Sequence, residues 1–340
     1  MMQGSFPVDR AAIAHAIDVL AAGGLVAVPT ETVYGLAGDA DSPAAVRAIF
    51  AAKGRPNDHP VIVHVADGGA LEAWAVAVPA QARVLTQRFW PGPLTLVLAR
   101  APRAHDGLTG GQDTVGLRCP AHPWARALLG AWCDRRGDPA AALAAPSANS
   151  FGRISPTTAA HVRADLGERP GGKIDLILDG GACPVGLEST IVDLSRPGAA
   201  RLLRPGTITR AQLEAALDDE VVDADASAPR VPGQLAQHYA PRTPMELVDA
   251  TALAARVNSL RGTRIAVLAP AMALLDWTGD VVLRLIAPAQ ADEYGRRLYA
   301  LLHQLDAAGV QRILVTRPPQ GPQWDAVRDR LQRAESINGV

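Results

Sequence analysis

The chain has 340 residues, of which 48% are hydrophobic and 20% are charged, a balance typical of globular proteins with substantial cores. Lys and Arg number 33 against 34 Asp and Glu, and the formal net charge of −1 argues against a global basic field that would attract nucleic acid or anionic lipid. The cysteines Cys119, Cys133 and Cys183 are scattered, with no metal-binding pattern, which favours a reducing cytoplasm. We expect a soluble cytoplasmic protein, because no signal-peptide pattern and no apolar run of about 20 residues is present.

The first part of the chain alternates helix and strand patterns, which predicts an α/β fold with a large sheet. In AAIAHAIDVLAAGG, Ile13, Ile17 and Leu20 share one helical face, and LVAVPT follows as a buried strand. Ser42 is a capping residue for the helix AAVRAIFAAK, which Gly54 ends. Further strands are predicted at VIVHV, LTLVLA, TVGLR, AALAAPSA, IDLILDG, STIVDLS and RLLR, and further helices at PAQARVLTQRF, TTAAHVRADLG and RAQLEAALDD.

The pattern is interrupted between about Glu220 and Thr243, where Asp, Ala, Ser and Pro predominate. We therefore predict a first domain over 1–219, a linker over 220–243 that contains HYAP, and a second domain over 244–340. In the second domain, ATALAARVNSL, ADEYGRRLYALLHQLDAAG and WDAVRDRLQRA are predicted helices, and TRIAVLAP, VVLRLIAP and VQRILVTR are predicted strands. This alternation indicates a small Rossmann-like α/β unit.

The stretch KGRPNDHPVIVHV places two cations and a histidine beside a strand. Lys53 and Arg55 lie at the end of a helix, where the helix dipole alone favours cations. A lone strand histidine is more often structural than catalytic. Polar side chains, however, recur at the ends of other predicted strands: Thr30, Glu31, Thr32, Tyr34, Arg118, Ser147, Asn149, Ser155, Ser189, Thr190 and Arg204. Arginine, lysine and hydroxyl groups collected at strand ends favour a pocket for a polyanion such as a nucleotide.

Common nucleotide and hydrolase motifs are missing from the sequence. It contains neither GxxxxGK[ST] nor a clean GxGxxG after a strand, which disfavours a Walker-type NTPase and a standard dinucleotide site. It also lacks GxSxG, which argues against an α/β-hydrolase. A nucleotide would have to be bound by dispersed residues.

The motifs PTETVYGL, KGRPNDHPVIVHV, FWPGPLTLVL, VGLRCPAHP, APSANSFGRISPT, GLESTIVDL and RLLRPGTIT resemble the YrdC/Sua5 family of threonylcarbamoyl-AMP synthases, in order and over nearly the whole chain. The linker VPGQLAQHYAP and the α/β tail resemble the longer, two-domain Sua5 form. The resemblance implies a large twisted mixed sheet with flanking helices in the first domain. It also implies a nucleotidyltransferase that converts threonine, bicarbonate and ATP to threonylcarbamoyl-AMP and pyrophosphate, for N6-threonylcarbamoyladenosine at position 37 of ANN-decoding tRNAs.

The resemblance also assigns roles to residues. It implies that Lys53 and Arg55 act in catalysis, and that ATP is contacted by Lys53, Arg55, His59, Thr114, Ser147, Asn149, Ser155, Arg204 and Tyr239. It places threonine against Thr32, Tyr34, His64, Arg118, Ala145 and Ser189. We expect Mg²⁺ to enter on the ATP phosphates rather than on protein ligands. The product would pass to a separate tRNA threonylcarbamoyl transferase complex, without tight tRNA binding by this chain and without a membrane.

Two positions depart from the family pattern, because His59 replaces the common asparagine and Asn57 the common serine. Other functions stay open at this point. An RNA-binding module is disfavoured by the charge and by 4% aromatic residues. The related hydrogenase-maturation carbamoyltransferases carry Cys-rich zinc motifs that this chain lacks. A paralogue that binds a nucleotide without catalysis can be distinguished from the enzyme only by an assay.

Overall fold

The computed structural model describes residues 6–274 and 281–336. They divide into two compact units, one of the described residues up to Phe151 with Pro156–Gln234, and one of Gly152–Ser155 with the described residues from Leu235 onward. In these two stretches no helix is long and apolar enough to cross a lipid bilayer.

The first unit is an α/β structure. Its helices are α1 (Arg10–Ala21), α2 (Pro43–Lys53), α3 (Leu71–Trp74), α4 (Ala80–Phe89), α5 (Asp106–Thr109), α6 (Pro123–Arg136), α7 (Ala159–Asp165) and α8 (Arg210–Leu217), and a 3₁₀ turn, Gly68–Ala70, precedes α3. Its strands are β1 (Val26–Val28), β2 (Gly35–Asp39), β3 (Ile62–His64), β4 (Leu94–Ala99), β5 (Thr114–Arg118), β6 (Leu143–Ala144), β7 (Leu176–Ile177), β8 (Thr190–Asp193), β9 (Ala200–Arg204) and β10 (Val221–Asp223).

These strands form one mixed sheet, which confirms the expected fold class. Within the described residues it has ten strands in the order β10-β9-β8-β4-β5-β3-β6-β2-β1-β7. The pairs β3–β5 and β4–β8 are parallel, whereas β4–β5 and β8–β9 are antiparallel. The strand β10 lies inside the segment predicted as a linker, so regular structure continues further than its polar composition indicates.

Local signals fix the helices that the sequence predicts. In α1, Ile13, Ile17 and Leu20 are buried on one face, as their spacing requires. In α2, the Ser42 hydroxyl accepts a hydrogen bond from the N–H of Ala45. Gly54 ends α2 in the left-handed region at φ 64°, where a side chain would be strained. Lys53 and Arg55 are thereby held at a defined helix end.

Two elements of the first unit, β2 and α6, were not predicted from the sequence. The strand β2 has the sequence GLAGD and is buried on both faces, so it shows no alternation. A Cβ at Gly38 would lie 3.1 Å from Ile49 Cδ1, which explains the small residue there. The helix α6 was missed although it has local signals: Gly137 ends it in the left-handed region, and Trp124, Leu128 and Trp132 are spaced at four residues and buried in one core cluster with residues of α1.

The second unit is a Rossmann-like α/β structure, as predicted. Its elements are β11 (Met245–Val248), α9 (Leu253–Ser259), β12 (Ile265–Ala269), β13 (Val281–Ile286), α10 (Ala291–Asp306), β14 (Arg312–Thr316) and α11 (Asp325–Ala334), with 3₁₀ turns at Ala271–Leu274 and Pro322–Trp324. Within the described residues its four strands pair in parallel in the order β11-β14-β12-β13. The carboxyl ends of these strands therefore meet at one edge of the sheet.

Candidate active site

Several of the predicted site residues lie on one face of the central strands. His64 pairs with Arg118 across β3 and β5, and Ile191 pairs with Arg204 across β8 and β9. Paired residues point to the same side of a sheet and successive residues alternate, so the opposite side is left to Val63 and Leu117. Both of these belong to the hydrophobic core. The site residues thus occupy the sheet face opposite the main core, where Leu143, the partner of His64, packs in a second core cluster with residues of α1 and α6.

The strand directions bring these residues to one edge. The parallel strands β3 and β5 end at His64 and Arg118. Because β4 is antiparallel to β5, it starts at that edge, and its first residue pairs with Thr190, next to Ser189. Arg204 ends β9 at the same edge. Thr114, in contrast, begins β5 and lies about 13 Å from Arg118 along the strand.

A buried ion pair lies at this edge, and the sequence did not predict its pairing. Arg118 donates to Glu31 Oε1 at 2.6 Å, and the N–H of Ala121 donates to Oε2 at 2.9 Å. Burial opposes the charge on Glu31, but the charge and hydrogen bond of Arg118, together with the backbone N–H groups, lower its pKa below the usual value. The buried Arg118 Nε has no hydrogen-bond partner in residues 6–274 and 281–336, so one donor remains for an anion.

His64 is a neutral histidine in this environment. Burial first, and then the charge of Arg118, lower its pKa to about 3. Its Nδ1 lies 3.3 Å from the carbonyl oxygen of Ile62. Near neutral pH the ring therefore offers hydrogen bonds without carrying charge.

The turn between β1 and β2 contains Thr32 and Tyr34, two of the residues predicted to contact threonine. The buried Thr32 Oγ1 lies 2.8 Å from Thr30 Oγ1, and Thr30 in turn donates to the carbonyl of Val33. Tyr34 is fully buried, and its hydroxyl donates to the carbonyl of Gly181 at 2.7 Å. Its hydroxyl thus stabilises the fold locally, while the threonine contact predicted for Tyr34 stays a prediction.

Ser189 and Arg204 are joined directly. Arg204 donates through Nε and an Nη to the carbonyl of Ser189 at 3.1 and 2.8 Å, and it also contacts the Ser189 hydroxyl at 3.1 Å. That hydroxyl lies 2.7 Å from Thr95 Oγ1, a residue that sequence reasoning missed. A second Nη of Arg204 donates to the carbonyl of Pro232. Arg204 therefore links the strand edge to the segment that follows β10.

Lys53 forms a second group with the loop that contains Ser147 and Asn149. Its buried Nζ donates to both backbone carbonyls, each at 2.5 Å. Burial and the charge of Arg55 hold the pKa of Lys53 well below its ordinary value. In the same loop, the N–H of Ala145 donates to the carbonyl of Ile62 at 3.2 Å. The structure thus brings together three residues predicted for ATP.

Arg55 and His59 lie around the ring of Phe151. The Arg55 guanidinium is 5.7 Å from the centre of that ring, and the His59 ring meets it edge-to-face at 5.2 Å. Arg55 also donates to the carbonyl of Pro60 at 2.7 Å. Burial and the Arg55 charge lower the pKa of His59, which favours the neutral imidazole at this position.

Thr114 lines a narrow cleft on the sheet face that carries His64 and Arg118. Its lining includes Thr95, Thr114 and Gly116 from the sheet and Arg230 and Pro232 from the segment after β10. Its free volume is about 10 Å³, room for about one water molecule. The segment 230–232 therefore covers this part of the sheet in the described structure.

Ser155 and Tyr239 belong to the second unit. The Ser155 carbonyl lies 3.2 Å from His303 Nε2. Tyr239 is buried at the left-handed φ of 62°, and the guanidinium of Arg330 lies 5.4 Å from the centre of its ring. The backbone of the next residue, Ala240, pairs with Gly152. The conformation of the HYAP segment is thus fixed by contacts within its own unit.

Comparison with known proteins shows the family of the chain. Residues 18–206 match the Sua5, YciO and YrdC family model, described as telomere recombination. The chain belongs to this family. Residues 208–336 match the model described as the C-terminal domain of threonylcarbamoyl-AMP synthase.

Relatives match over nearly the full length. The threonylcarbamoyl-AMP synthase of Bacillus subtilis is 38% identical, over 95% of this chain and 92% of that protein. The enzyme of the same name from Pyrococcus abyssi is 36% identical, over 92% of this chain and 90% of that protein. The crystal structure of P. abyssi Sua5 complexed with L-threonine superposes with a TM-score of 0.84 at 34% identity, over 97% and 96% of the two chains.

Proposed function

We propose that this chain is a threonylcarbamoyl-AMP synthase, which forms L-threonylcarbamoyladenylate and pyrophosphate from L-threonine, bicarbonate and ATP. The observation that carries the proposal is the buried edge at which Arg118, Glu31, His64 and Ser189 lie, in a chain that matches synthases of this name over most of its length. The product would serve a separate transferase complex that modifies adenosine 37 of ANN-decoding tRNAs. We expect this chain to work in the cytoplasm and to bind tRNA weakly.

Arg118 is the proposed partner of the threonine carboxylate. Its position is fixed by Glu31, and its Nε is buried with no hydrogen-bond partner in the described part of the chain. Thr32, neutral His64 and Ser189 would contact the threonine hydroxyl and amine. An analogue without the hydroxyl would leave buried polar groups unpaired, so the enzyme would strongly prefer threonine to that analogue. Tyr34 and Ala145 would shape the same pocket through their backbone and packing.

The proposed reaction is an adenylyl transfer. The threonine amine adds to carbon dioxide with loss of a proton, or to bicarbonate with loss of water, to give a carbamate. A carbamate oxygen then attacks the α-phosphorus of ATP as the bond to pyrophosphate breaks. Such a displacement needs mainly positioning and charge neutralisation. Lys53 and Arg55 are the proposed cations at the phosphates. His59, Thr114, Ser147, Asn149, Ser155 and Arg204 are the further ATP contacts that we propose.

Magnesium is expected to enter with ATP. Among residues 6–274 and 281–336, no group of three or more His, Cys, Asp and Glu side chains is placed to hold a metal ion. The acidic residue of the proposed site, Glu31, is engaged by Arg118 and Ala121. Oxygen atoms of the ATP phosphates and water are the ligands that Mg²⁺ prefers in such sites.

Tyr239 is the proposed lid residue over the nucleotide, as the family resemblance implies. Closure of a lid would shield the adenylate from hydrolysis.

The experiment that tests the function follows the carbon of bicarbonate. The purified full chain is incubated with ATP, L-threonine and ¹³C-bicarbonate, and the products are analysed by mass spectrometry. We expect an adenylate that contains threonine and one labelled carbon. Formation of threonyl-AMP without the label, or of no adenylate, would contradict the proposal.

A further inference from the structure

The second unit contains a large cavity that the proposed reaction does not use. It has a volume of about 900 Å³ and lies at the carboxyl ends of β12, β13 and β14. Pro270 follows β12, Ala287 follows β13, and Pro318 follows β14, and all three line it. In open parallel sheets this edge is the usual location of a ligand site, and the volume is within the range of small-molecule pockets.

Much of the cavity wall is apolar and partly aromatic. Met272 and Ile286 line it and are exposed to 81% and 59%, and Trp324 lines it from the turn before α11. The ring of Tyr294 meets Trp324 edge-to-face, with 5.9 Å between the ring centres. The Tyr294 hydroxyl is buried without a hydrogen-bond partner in the described residues. A flat apolar ligand group with a polar atom fits this wall.

The charged groups that line the cavity are predominantly positive. Arg284, Arg297 and Arg317 line it, against one carboxylate, that of Glu293. Arg297 and Glu293 form a half-exposed ion pair at 3.3 Å. Arg317 donates to the carbonyl of Leu247 and also lies 3.6 Å from the carboxylate of Asp249 and 4.0 Å from that of Glu335. The lining itself thus has an excess of two positive charges.

The N-terminus of α10 lies beside the cavity. The helix is 16 residues long and begins at Ala291, directly after the lining residues Pro288 and Ala289. The side chain of its N-cap residue, Gln290, makes no capping hydrogen bond. The first-turn backbone N–H groups and the helix dipole favour an anion at this end, against the carboxylates of Asp292 and Glu293 in the same turn.

We propose that this cavity binds a small organic anion with a flat apolar part, of the size of a mononucleotide, at a site lined by none of the residues proposed for catalysis. The apolar wall would hold the flat part, and Arg284, Arg297 and the start of α10 would hold the anionic group. The second unit would then be a ligand-binding domain.

The test uses adenosine 5′-monophosphate as the probe. The full chain is titrated with it by calorimetry as wild type, as Arg297→Ala and as Arg296→Ala, a matched control because Arg296 is an exposed α10 residue outside the cavity. We expect Arg297→Ala to lose one binding site per chain, or to bind there about tenfold more weakly, since a charge-assisted contact is removed. Arg284→Ala should act in the same way, and adenosine, without the phosphate, should not fill the site.

The controls separate this site from catalysis and from folding. Thermal unfolding and threonine-dependent pyrophosphate release should match the wild type in the Arg296→Ala and Arg297→Ala variants. Equal probe binding by both variants, or no binding of the probe by the wild type, would overturn the proposal. A change in sedimentation of Arg297→Ala without a change in probe binding would instead identify the surface as a contact between copies of the chain, and would also overturn it.

Discussion

Arg118 and Glu31 form a buried ion pair, with 2.6 Å between an Nη of the guanidinium and Oε1 of the carboxylate. Both side chains are exposed by no more than 6%. The second carboxylate oxygen accepts a hydrogen bond from the N–H of Ala121. Because Glu31 lies in the loop between β1 and β2, the position of Arg118 depends on that loop. A buried pair of this kind is costly to break, because removal of one partner leaves an uncompensated charge.

Replacement of Glu31 should therefore affect both stability and threonine recognition. We expect Glu31→Ala to lower the free energy of unfolding by roughly 3–5 kcal/mol, since Arg118 would be left charged and without its partner. Glu31→Gln should fold better and should raise the KM for threonine about tenfold, with little effect on the KM for ATP. Urea unfolding and initial rates of pyrophosphate release measure these effects.

An exposed ion pair provides the control for this prediction. Glu72 and Arg83 are both half-exposed, so Glu72→Ala should change the free energy of unfolding by only about 0–1 kcal/mol. If Glu31→Gln has the threonine KM of the wild type, Glu31 does not position Arg118 for the substrate.

Replacement of Lys53 by methionine should disturb the nucleotide loop. The carbonyls of Ser147 and Asn149 would each lose their donor, at a cost of about 1–3 kcal/mol for each buried group that stays unpaired. We also expect a higher KM for ATP and a lower turnover. Arg47→Met, at an exposed position of the same helix, is the matched control. Wild-type ATP kinetics in Lys53→Met would remove Lys53 from the proposed mechanism.

His64 should make stability depend on pH. Its pKa of about 3 in the folded chain lies below the ordinary 6.5, so the unfolded chain takes up a proton that the folded chain does not. The contribution of His64 to the free energy of unfolding is fully present above about pH 6.5. It is lost as the pH falls towards 3, by about 1.4 kcal/mol per pH unit. Urea unfolding of wild type and His64→Gln at about pH 6 and pH 5 should show a steeper loss in the wild type. Parallel losses would show that His64 is protonated in the folded chain.

Replacement of Tyr239 tests its proposed role as a lid over the nucleotide. We expect Tyr239→Ala to lower turnover or to raise ATP consumption without product, because the proposed adenylate would be less protected from water. Tyr239→Phe keeps the ring that packs near Arg330 and should stay closer to the wild type. Parallel assays of pyrophosphate and threonylcarbamoyl-AMP measure the coupling, and wild-type kinetics in Tyr239→Ala would contradict the lid.

Elements with local signals could be predicted from the sequence, and elements defined by packing could not. Ser42 and Gly54 delimit α2 through hydrogen bonds and a backbone conformation that need no tertiary information. The sequence GLAGD of β2 has no such signal, because Gly38 is small for close packing against Ile49. The strand β10 was missed because it has only three residues, of which only Val221 is buried, so its sequence carries no strand pattern.

The same distinction applies to the candidate site. Arg118, Glu31 and Ser189 were identifiable as polar residues beside strands, but their pairings were not. Glu31 is 87 residues from Arg118, and Thr95 is 94 residues from Ser189, so only the folded sheet brings each pair together. The contact of Lys53 with two backbone carbonyls also has no signature in side-chain chemistry.

The most direct test of the proposed function is pyrophosphate release from ATP by the purified full chain. Rates are compared with L-threonine, L-serine and L-2-aminobutyrate, each with and without bicarbonate. We predict release that requires both threonine and bicarbonate and is much slower with 2-aminobutyrate, which lacks the hydroxyl. Release that is independent of threonine, or absent while ATP still binds, would contradict the synthase and indicate a nucleotide-binding protein without this activity.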